Sequence, residues 1–441
     1  MASLAVLGGL VLYVVAPNVG PTTEAPTPTA PATPSMIVSP TVASSPSSSP
    51  SLPALISAID LKAHVVSVPR DFRYVTTAST LLVLDLAGNN ASEIASFTVP
   101  QPEPGFPIAE VAAAQDGKSV LLTIHAGQRD GTAFVLTPGN GQTRVLIRGA
   151  VARVAFSPDG SRFAVARNDQ DPALTGLWVG VTAGGSMRRL IADDPQYAGS
   201  PPVPYGFSPS SELLAFGLFN GESGAHAGIV SVSSTEGSAD HSAGTWAIRG
   251  SDAVLLGPSA GAEFISDDEL FVWSSRNAFG GQTLADTYEI AAKTRKDLYR
   301  AEGGDLTIAN AAWAPGARSF ALAERPICCG AALALTVRTI AEDGSMRKLG
   351  EWSVIDMWWS GSGNGAKLYG VLGLDDSTGT VVDMLLNKTV MRFCWRGGSP
   401  GAVPSQRRAT SPPQARSKGP TRQLRYRRRS PGTRGCSPGR P

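Results

Sequence analysis

The chain has 441 residues, of which 42% are hydrophobic and only 17% charged, with 48 Gly and 34 Pro. This mixture favours many short strands joined by tight turns over long helices, so we expect an all-β body. The net charge of +2 hides a division: from Lys388 onward there are 14 basic and no acidic residues, whereas the preceding chain carries 24 basic and 36 acidic ones. An acidic body argues against nucleic acid as its partner and favours a cationic or neutral one.

Two segments precede this body. Residues 1–16 begin MASLAVLGGLVLYVV, contain no charge, and predict one short apolar helix that acts as a signal peptide or signal anchor. Residues 17–53 are rich in Pro, Ser and Thr, and Glu24 is their only charge. Such a segment can bury little apolar surface and should stay extended as a stalk. We therefore expect an extracytoplasmic protein, either membrane-anchored through its N-terminal segment or secreted.

A strand-turn-strand unit recurs along the rest of the chain. Its clearest copy is VARVAFSPDGSRFAVAR, residues 151–167, and similar units start at Val111, Tyr205, Ala262, Ala311 and Met357. Unit starts 43 to 57 residues apart suit the four strands of a propeller blade. The turn of the clearest copy, which favours a tight reversal through its Pro, Asp and Gly, consists of Phe156, Ser157, Pro158, Asp159 and Gly160.

This turn resembles that of the TolB-like and WD40-like β-propeller repeats. The resemblance covers about residues 108–387 and is complete in one repeat, while the other copies keep one to three of the five turn residues. Residues 72–99 look like the last three strands of a further blade. The resemblance implies an all-β propeller of four-stranded blades over residues 54–387, with seven blades, or six as the alternative. Because ring closure removes exposed sheet edges, we expect the first and last strands to pair.

The C-terminal segment, residues 388–441, is rich in Arg, Pro, Gly and Ser and shows no strand period. The last blade is accordingly predicted to stop before its fourth strand. Two interpretations stay open. The segment is either a basic disordered arm for anionic lipid or nucleic acid, or the product of a frameshift that replaced a strand the ring needs.

Catalytic motifs are weak. Residues 257–261 match G-x-S-x-G, but they lie in a link between strands rather than between a strand and a helix, as a nucleophile elbow requires. The glycine-rich residues 361–365 are interpreted as a blade turn. The four histidines are scattered without zinc-site spacing. We therefore predict no catalytic residue, no metal site and no cofactor.

Loops between the second and third strands are long and varied, and function often resides in such loops on a rigid scaffold. They supply the candidate ligand-binding residues Asp169, Asp171, Arg276, Asn277 and Arg325.

The predicted function is a non-catalytic, monomeric binding or scaffold module for a protein, a peptide or an envelope polymer. One alternative is a glycan hydrolase or lyase that uses channel carboxylates; two carboxylates within about 10 Å and with opposed proton affinities would favour it. The other alternative is a purely structural spacer.

Overall fold

The computed structural model describes residues 59–104, 106–127, 130–169, 171–193, 201–220, 224–240, 247–274, 284–301, 306–326, 334–372 and 378–394. The predicted N-terminal helix and stalk lie outside these ranges. Within them, no helix has the length and hydropathy needed to cross a bilayer. The described residues form seven sheets, each with one four-stranded antiparallel blade, so the prediction of a seven-bladed, all-β propeller is confirmed.

The strands of the first four blades follow the chain. Blade 1 contains β1 (Asp60–Ala63), β2 (Phe72–Thr76), β3 (Thr80–Asp85) and β4 (Asn90–Thr98). Blade 2 contains β5 (Ile108–Ala113), β6 (Val120–Gly127), β7 (Asp130–Thr137) and β8 (Gln142–Gly149). Blade 3 contains β9 (Val151–Phe156), β10 (Arg162–Arg167), β11 (Gly176–Val181) and β12 (Arg188–Ala192). Blade 4 contains β13 (Val203–Phe207), β14 (Leu213–Asn220), β15 (Gly224–Ser231) and β18 (Val254–Pro258).

The last three blades are regular, and blade 4 carries an insertion. Blade 5 contains β19 (Gly261–Phe264), β20 (Glu269–Ser274), β21 (Leu284–Glu289) and β22 (Thr294–Arg300). Blade 6 contains β23 (Leu306–Ala314), β24 (Ser319–Pro326), β25 (Leu335–Ala341) and β26 (Met346–Trp352). Blade 7 contains β27 (Val354–Ser360), β28 (Lys367–Leu372), β29 (Thr378–Asp383) and β30 (Lys388–Cys394). The insertion is a hairpin of β16 (Gly237–Asp240) and β17 (Ala247–Arg249) that extends the sheet of blade 3 through parallel pairing of β16 with β12.

The repeat turn explains how each blade starts. Phe156 and Phe163 pair directly across β9 and β10, and Gly160 has φ 70°, a conformation that suits glycine. The second strand of a blade is buried on both faces, as in β6, which has no exposed residue. The fourth strand is largely exposed, as in β22 and β26. The second strand is therefore a nearly continuous run of apolar residues, whereas the fourth strand, at the outer edge of the sheet, is rich in polar residues.

Seven apolar clusters hold the ring together, one at each junction between adjacent blades. The cluster between blades 7 and 1 joins Leu82, Leu84 and Val75 to Trp358 and Tyr369. The ring is therefore closed by packing of side chains, and the expectation that the first and last strands pair is wrong. The physical reason is that β1 pairs with β4 inside blade 1, which completes that blade without a strand from the C-terminus.

In blade 1, the inner strand runs in the opposite direction to the inner strands of the neighbouring blades. Residues 72–99 form its three inner strands, not its last three as expected, because β1 takes the outer position. The end of β2 meets the start of β5, since the Thr76 hydroxyl donates to the carbonyl of Ala109 at 2.7 Å. The Tyr74 hydroxyl donates to the carbonyl of Gly117, in the turn that follows β5. The inner strand β2 thus runs antiparallel to the neighbouring inner strand.

The last blade is complete, which corrects the predicted domain boundary at residue 387. Strand β30 pairs with β29, and its Met391 and Phe393 are each 3% exposed in the cluster between blades 7 and 1. Lys388 and Arg392 give this segment the composition of the basic tail, yet Met391 and Phe393 flank Arg392 at the spacing of two that is typical of a strand. The propeller reaches Cys394, so a missing fourth strand no longer supports a frameshift. The rest of the tail lies outside the described residues.

Candidate functional site: the central channel

Two of the predicted loop residues, Asp169 and Asp171, form hydrogen bonds and an ion pair with residues close to them in sequence. Asp169 forms an ion pair with Arg167 at 3.0 Å, and its backbone N–H donates to the Thr175 hydroxyl. Asp171 accepts a hydrogen bond from the backbone N–H of Ala173. These contacts shape the loop between β10 and β11.

The remaining loop candidates do not join them. Arg325 lies near the end of β24, opposite Thr307 of β23. Arg276 and Asn277 lie outside the described residues. Of the three described candidates, Asp169 accepts a hydrogen bond from the backbone N–H of Asp171 in one loop, whereas Arg325 lies on another blade.

The G-x-S-x-G match, residues 257–261, spans the end of β18, the short link after it and the first residue of β19. Its Ser259 is 2% exposed, and its hydroxyl donates to the carbonyl oxygens of Gly261 and Trp273 at 2.8 and 3.1 Å. A hydroxyl held in this way braces the entry into blade 5. Among the described residues, no group of three or more His, Cys, Asp or Glu side chains is close enough to hold a metal ion.

Polar residues are placed at the centre of the ring by the inner strands. Among the described strands, the first strand of blades 2 to 7, and β2 in blade 1, forms the inner edge of its sheet, and this edge faces the central channel. Each of these strands carries a polar side chain within an otherwise mostly small or apolar sequence. The set consists of Arg73, Glu110, Arg153, Tyr205, Glu263, Asn310 and Asp356.

Glu263 is the most perturbed carboxyl of this set. Its side chain is exposed to solvent, yet it comes from an inner strand and is surrounded by protein. Its Oε2 accepts a hydrogen bond from the backbone N–H of Trp313, on the inner strand of blade 6, at 3.2 Å. Desolvation by the surrounding protein raises the pKa of Glu263 to about 7, although the hydrogen bond from Trp313 and the charge of Arg73 both lower it.

The influence of Arg73 on Glu263 crosses the channel, because Arg73 belongs to blade 1 and Glu263 to blade 5. Arg73 is also ion-paired with Asp356 of blade 7, the two side chains being 38% and 37% exposed. The guanidinium lies 4.8 Å from the centre of the Trp358 ring, within the range of a cation–π contact. Three charged groups from the inner strands of three blades therefore act on one another.

The opposite wall is less charged. Arg153 lies 6.0 Å from the centre of the Tyr205 ring. Burial raises the pKa of the Tyr205 hydroxyl, while the nearby Arg153 charge lowers it. In blade 2, burial lowers the pKa of His125, and the charge of Glu110 acts in the opposite direction. The inner strands together present three acidic and two basic side chains, an excess of one negative charge.

Sequence reasoning missed this channel set, although a signal was present. The repeat identifies the first strand of each blade, and Glu110, Arg153, Glu263 and Asp356 are the charged residues of four of those strands. An ionisable residue on a strand whose edge faces the channel would have been a candidate.

No protein-family model matches the sequence, and no curated protein sequence is similar to it. Solved structures with similar folds include a TolB from Agrobacterium tumefaciens, at 13% identity and TM-score 0.42, over 64% of this chain and 95% of that one. An oligogalacturonate lyase from Vibrio parahaemolyticus matches at 10% identity and TM-score 0.44, over 76% and 85%. A puromycin hydrolase matches at 17% and 0.47, over 77% and 55%. TolB and other β-propeller proteins are thus among the structures that this seven-bladed chain is similar to.

Proposed function

We propose that this protein is a non-catalytic, extracytoplasmic binding module that takes part of a protein, a peptide or an envelope polymer into its central channel. The observation that carries the proposal is the Glu263 carboxylate. It is accessible to solvent although protein surrounds it, and it faces the Arg73–Asp356 pair across the channel. A partly desolvated charge within reach of solvent binds a complementary group more strongly than a surface charge does.

Two further features support this assignment. The N-terminal apolar segment and the stalk of residues 17–53 are the composition of a tether, which supports a location outside the cytoplasm. The described loop acids Asp169 and Asp171 are committed to hydrogen bonds within their loop. This favours the channel over the loop rim as the contact surface. We propose a monomer with its membrane link in residues 1–16.

Peptide selection followed by site-specific crosslinking tests the proposal. The full chain is used to select ligands from a random peptide library, and the selected peptides are added to two variants that carry a photo-crosslinking residue. One replaces Asn310 on an inner strand, and the control replaces Lys348 on the outer strand β26. We expect adducts at position 310 and few at 348. Failure to select any peptide, or adducts at 348 alone, would contradict channel binding.

A second candidate function, a glycan hydrolase or lyase, is favoured by one observation. Glu263 has a pKa raised to about 7, while Asp356 is ion-paired with Arg73, so two channel carboxyls differ in environment as an acid and a base would. The test is incubation of the full chain with a panel of acidic and neutral oligosaccharides. Turnover that is lost in both Glu263→Gln and Asp356→Asn would replace the binding proposal with this one.

A further inference from the structure

The Glu263 side chain retains an unused oxygen. Among the described residues, Oε2 accepts the N–H of Trp313, and no hydrogen bond reaches Oε1. The side chain is nevertheless open to the solvent of the channel. A carboxylate that is partly desolvated and half satisfied gains more from a new cationic donor than an exposed carboxylate does.

The neighbouring charges leave this carboxylate uncompensated. Arg73 is the cation that acts on Glu263, but its charge is already paired with Asp356 and its face lies on Trp358. On the far wall, Arg153 lies against the Tyr205 ring. The other inner-strand acid, Glu110, acts on His125 of its own blade. Glu263 is therefore an acidic side chain of the channel that no ion pair among the described residues neutralises.

The chemistry of the ligand follows from these contacts. A metal ion would need several ligands, and among the described residues no cluster of three such side chains exists. An anion would meet the uncompensated carboxylate. An ammonium or guanidinium group on a flexible stem would instead supply N–H donors to Oε1 and a charge to Glu263, while its stem passes along the channel wall.

We propose that Glu263 forms a subsite for a Lys or Arg side chain of a peptide or protein segment that enters the channel. This inference rests on the proposed function and names the chemistry of the ligand. It agrees with the acidic balance of the chain before Lys388, which carries 24 basic and 36 acidic residues. A cationic segment is drawn toward such a body over a distance set by the ionic strength.

A pH dependence follows from the same group. The cation binds the ionised carboxylate, and the pKa of Glu263 is raised to about 7. Binding therefore releases a proton near neutral pH, and affinity rises as the pH increases through 7. The other charged groups that face this part of the channel, Arg73 and Asp356, are already paired with each other.

The test compares arginine amide with citrulline amide, its uncharged analogue of nearly the same shape. Binding to the full chain is measured by titration calorimetry at pH 6 and pH 8, for the wild type, Glu263→Gln, and a control Glu289→Gln at an exposed position of β21. We expect wild type and control to prefer arginine amide by about tenfold at pH 8, less at pH 6, and Glu263→Gln to show no preference.

Equal binding of the two amides to the wild type would overturn the subsite, as would an undiminished preference in Glu263→Gln. The selected peptides separate this result from the proposed function. If they still crosslink at position 310 but bind Glu263→Gln as tightly as the wild type, the channel is a binding site and the cation subsite is wrong. If none crosslinks there, the proposed function fails as well. Circular dichroism of each variant checks that the fold is kept.

Discussion

Adjacent blades are held together differently at two junctions of the ring, the one between blades 2 and 3 and the one between blades 7 and 1. At the first, the chain passes directly from β8 to β9. The turn after β5 contacts the turn after β9, where the N–H of Gln115 donates to the carbonyl of Pro158 at 2.8 Å. At the second, the contacting blades come from opposite ends of the described chain, β1–β4 and β27–β30. Side chains there provide the orientation: Arg73 pairs with Asp356, and the Ser360 hydroxyl donates to Asp71 at 2.9 Å.

The difference indicates how a ring can close without exchanging a strand. A direct connection restricts how two blades can meet, because a short link leaves few arrangements open. The closing junction lacks this restriction, so its geometry must come from a large apolar contact and from directional polar contacts. Its cluster contains Trp358, Tyr369 and Phe393, which supply area and shape.

Truncation of Trp358 should have the largest effect. Its side chain is 8% exposed and lies between Arg73 and the closing cluster, so Trp358→Ala should lower the free energy of unfolding by about 3–5 kcal/mol. Hydrogen exchange should also show β2 and β3 opening before the rest of the ring.

The matched comparison is Phe163→Ala at the junction of blades 2 and 3, where the side chain is 3% exposed. It should cost a similar free energy in urea unfolding without selective opening of blade 1. Equal protection of β2 and β3 in both variants would contradict the assigned role of the closing cluster.

A directly linked junction can tolerate a buried carboxyl, and Asp286 provides the test. It pairs across the sheet with Val272, in the contact between blades 4 and 5. Burial raises its pKa to about 6, while Arg295 lowers it and Asp297 raises it. Its favourable contribution to stability is therefore complete below the unfolded pKa near 4 and is lost as the pH rises through 6.

Asp286→Asn should thus stabilise the protein at pH 7, by on the order of 2 kcal/mol. The gain should shrink as the pH falls from 7 to below 4, as measured by urea unfolding at several pH values. A variant less stable than the wild type at pH 7 would show that the ion pair with Arg295, at 3.5 Å, outweighs burial.

The Arg73–Asp356 pair should have a smaller effect. Both side chains are more than a third exposed, so solvent screens the pair, and a double-mutant cycle of Arg73→Met and Asp356→Asn should give about 1 kcal/mol of coupling. The same cycle on the more exposed pair Lys348–Glu351 is the control and should give a smaller coupling energy. Equal coupling energies in the two cycles would show that the Arg73–Asp356 ion pair does not contribute to ring closure.

Much of the fold could be predicted from the sequence because the turn after the first strand is a local signal. The repeat at residues 151–167 places β9 and β10, and its copies place the inner strands of blades 2 to 7. Gly185 and Gly344 each begin a Gly-Ser-Met-Arg sequence, and both lie in the hairpin between the third and fourth strands of their blades. These features depend on neighbours in the sequence.

The closure and the site depend on partners distant in sequence. Nothing near Asp60 indicates that β1 returns to pair with β4 rather than with the last blade. Strand β30 was concealed by its basic residues, Lys388 and Arg392, which stand on the exposed side of an alternating strand. Arg73 and Asp356 are 283 residues apart, so their pairing is a property of the ring and not of any local pattern.

The direction of β2 in the closed ring is the claim on which the placement of Arg73 in the channel depends. Two cysteine pairs test it in a background where Cys328, Cys329, Cys394 and Cys436 are replaced by Ser. Asp71→Cys with Ser360→Cys joins residues whose side-chain oxygens are 2.9 Å apart. Thr76→Cys with Ser360→Cys places one cysteine at the C-terminal end of β2 and the other at the C-terminal end of β27. Antiparallel strands hold these two ends apart, whereas parallel strands would bring them together. Rapid disulfide formation in the first pair and none in the second is predicted; the reverse result would contradict the antiparallel closure.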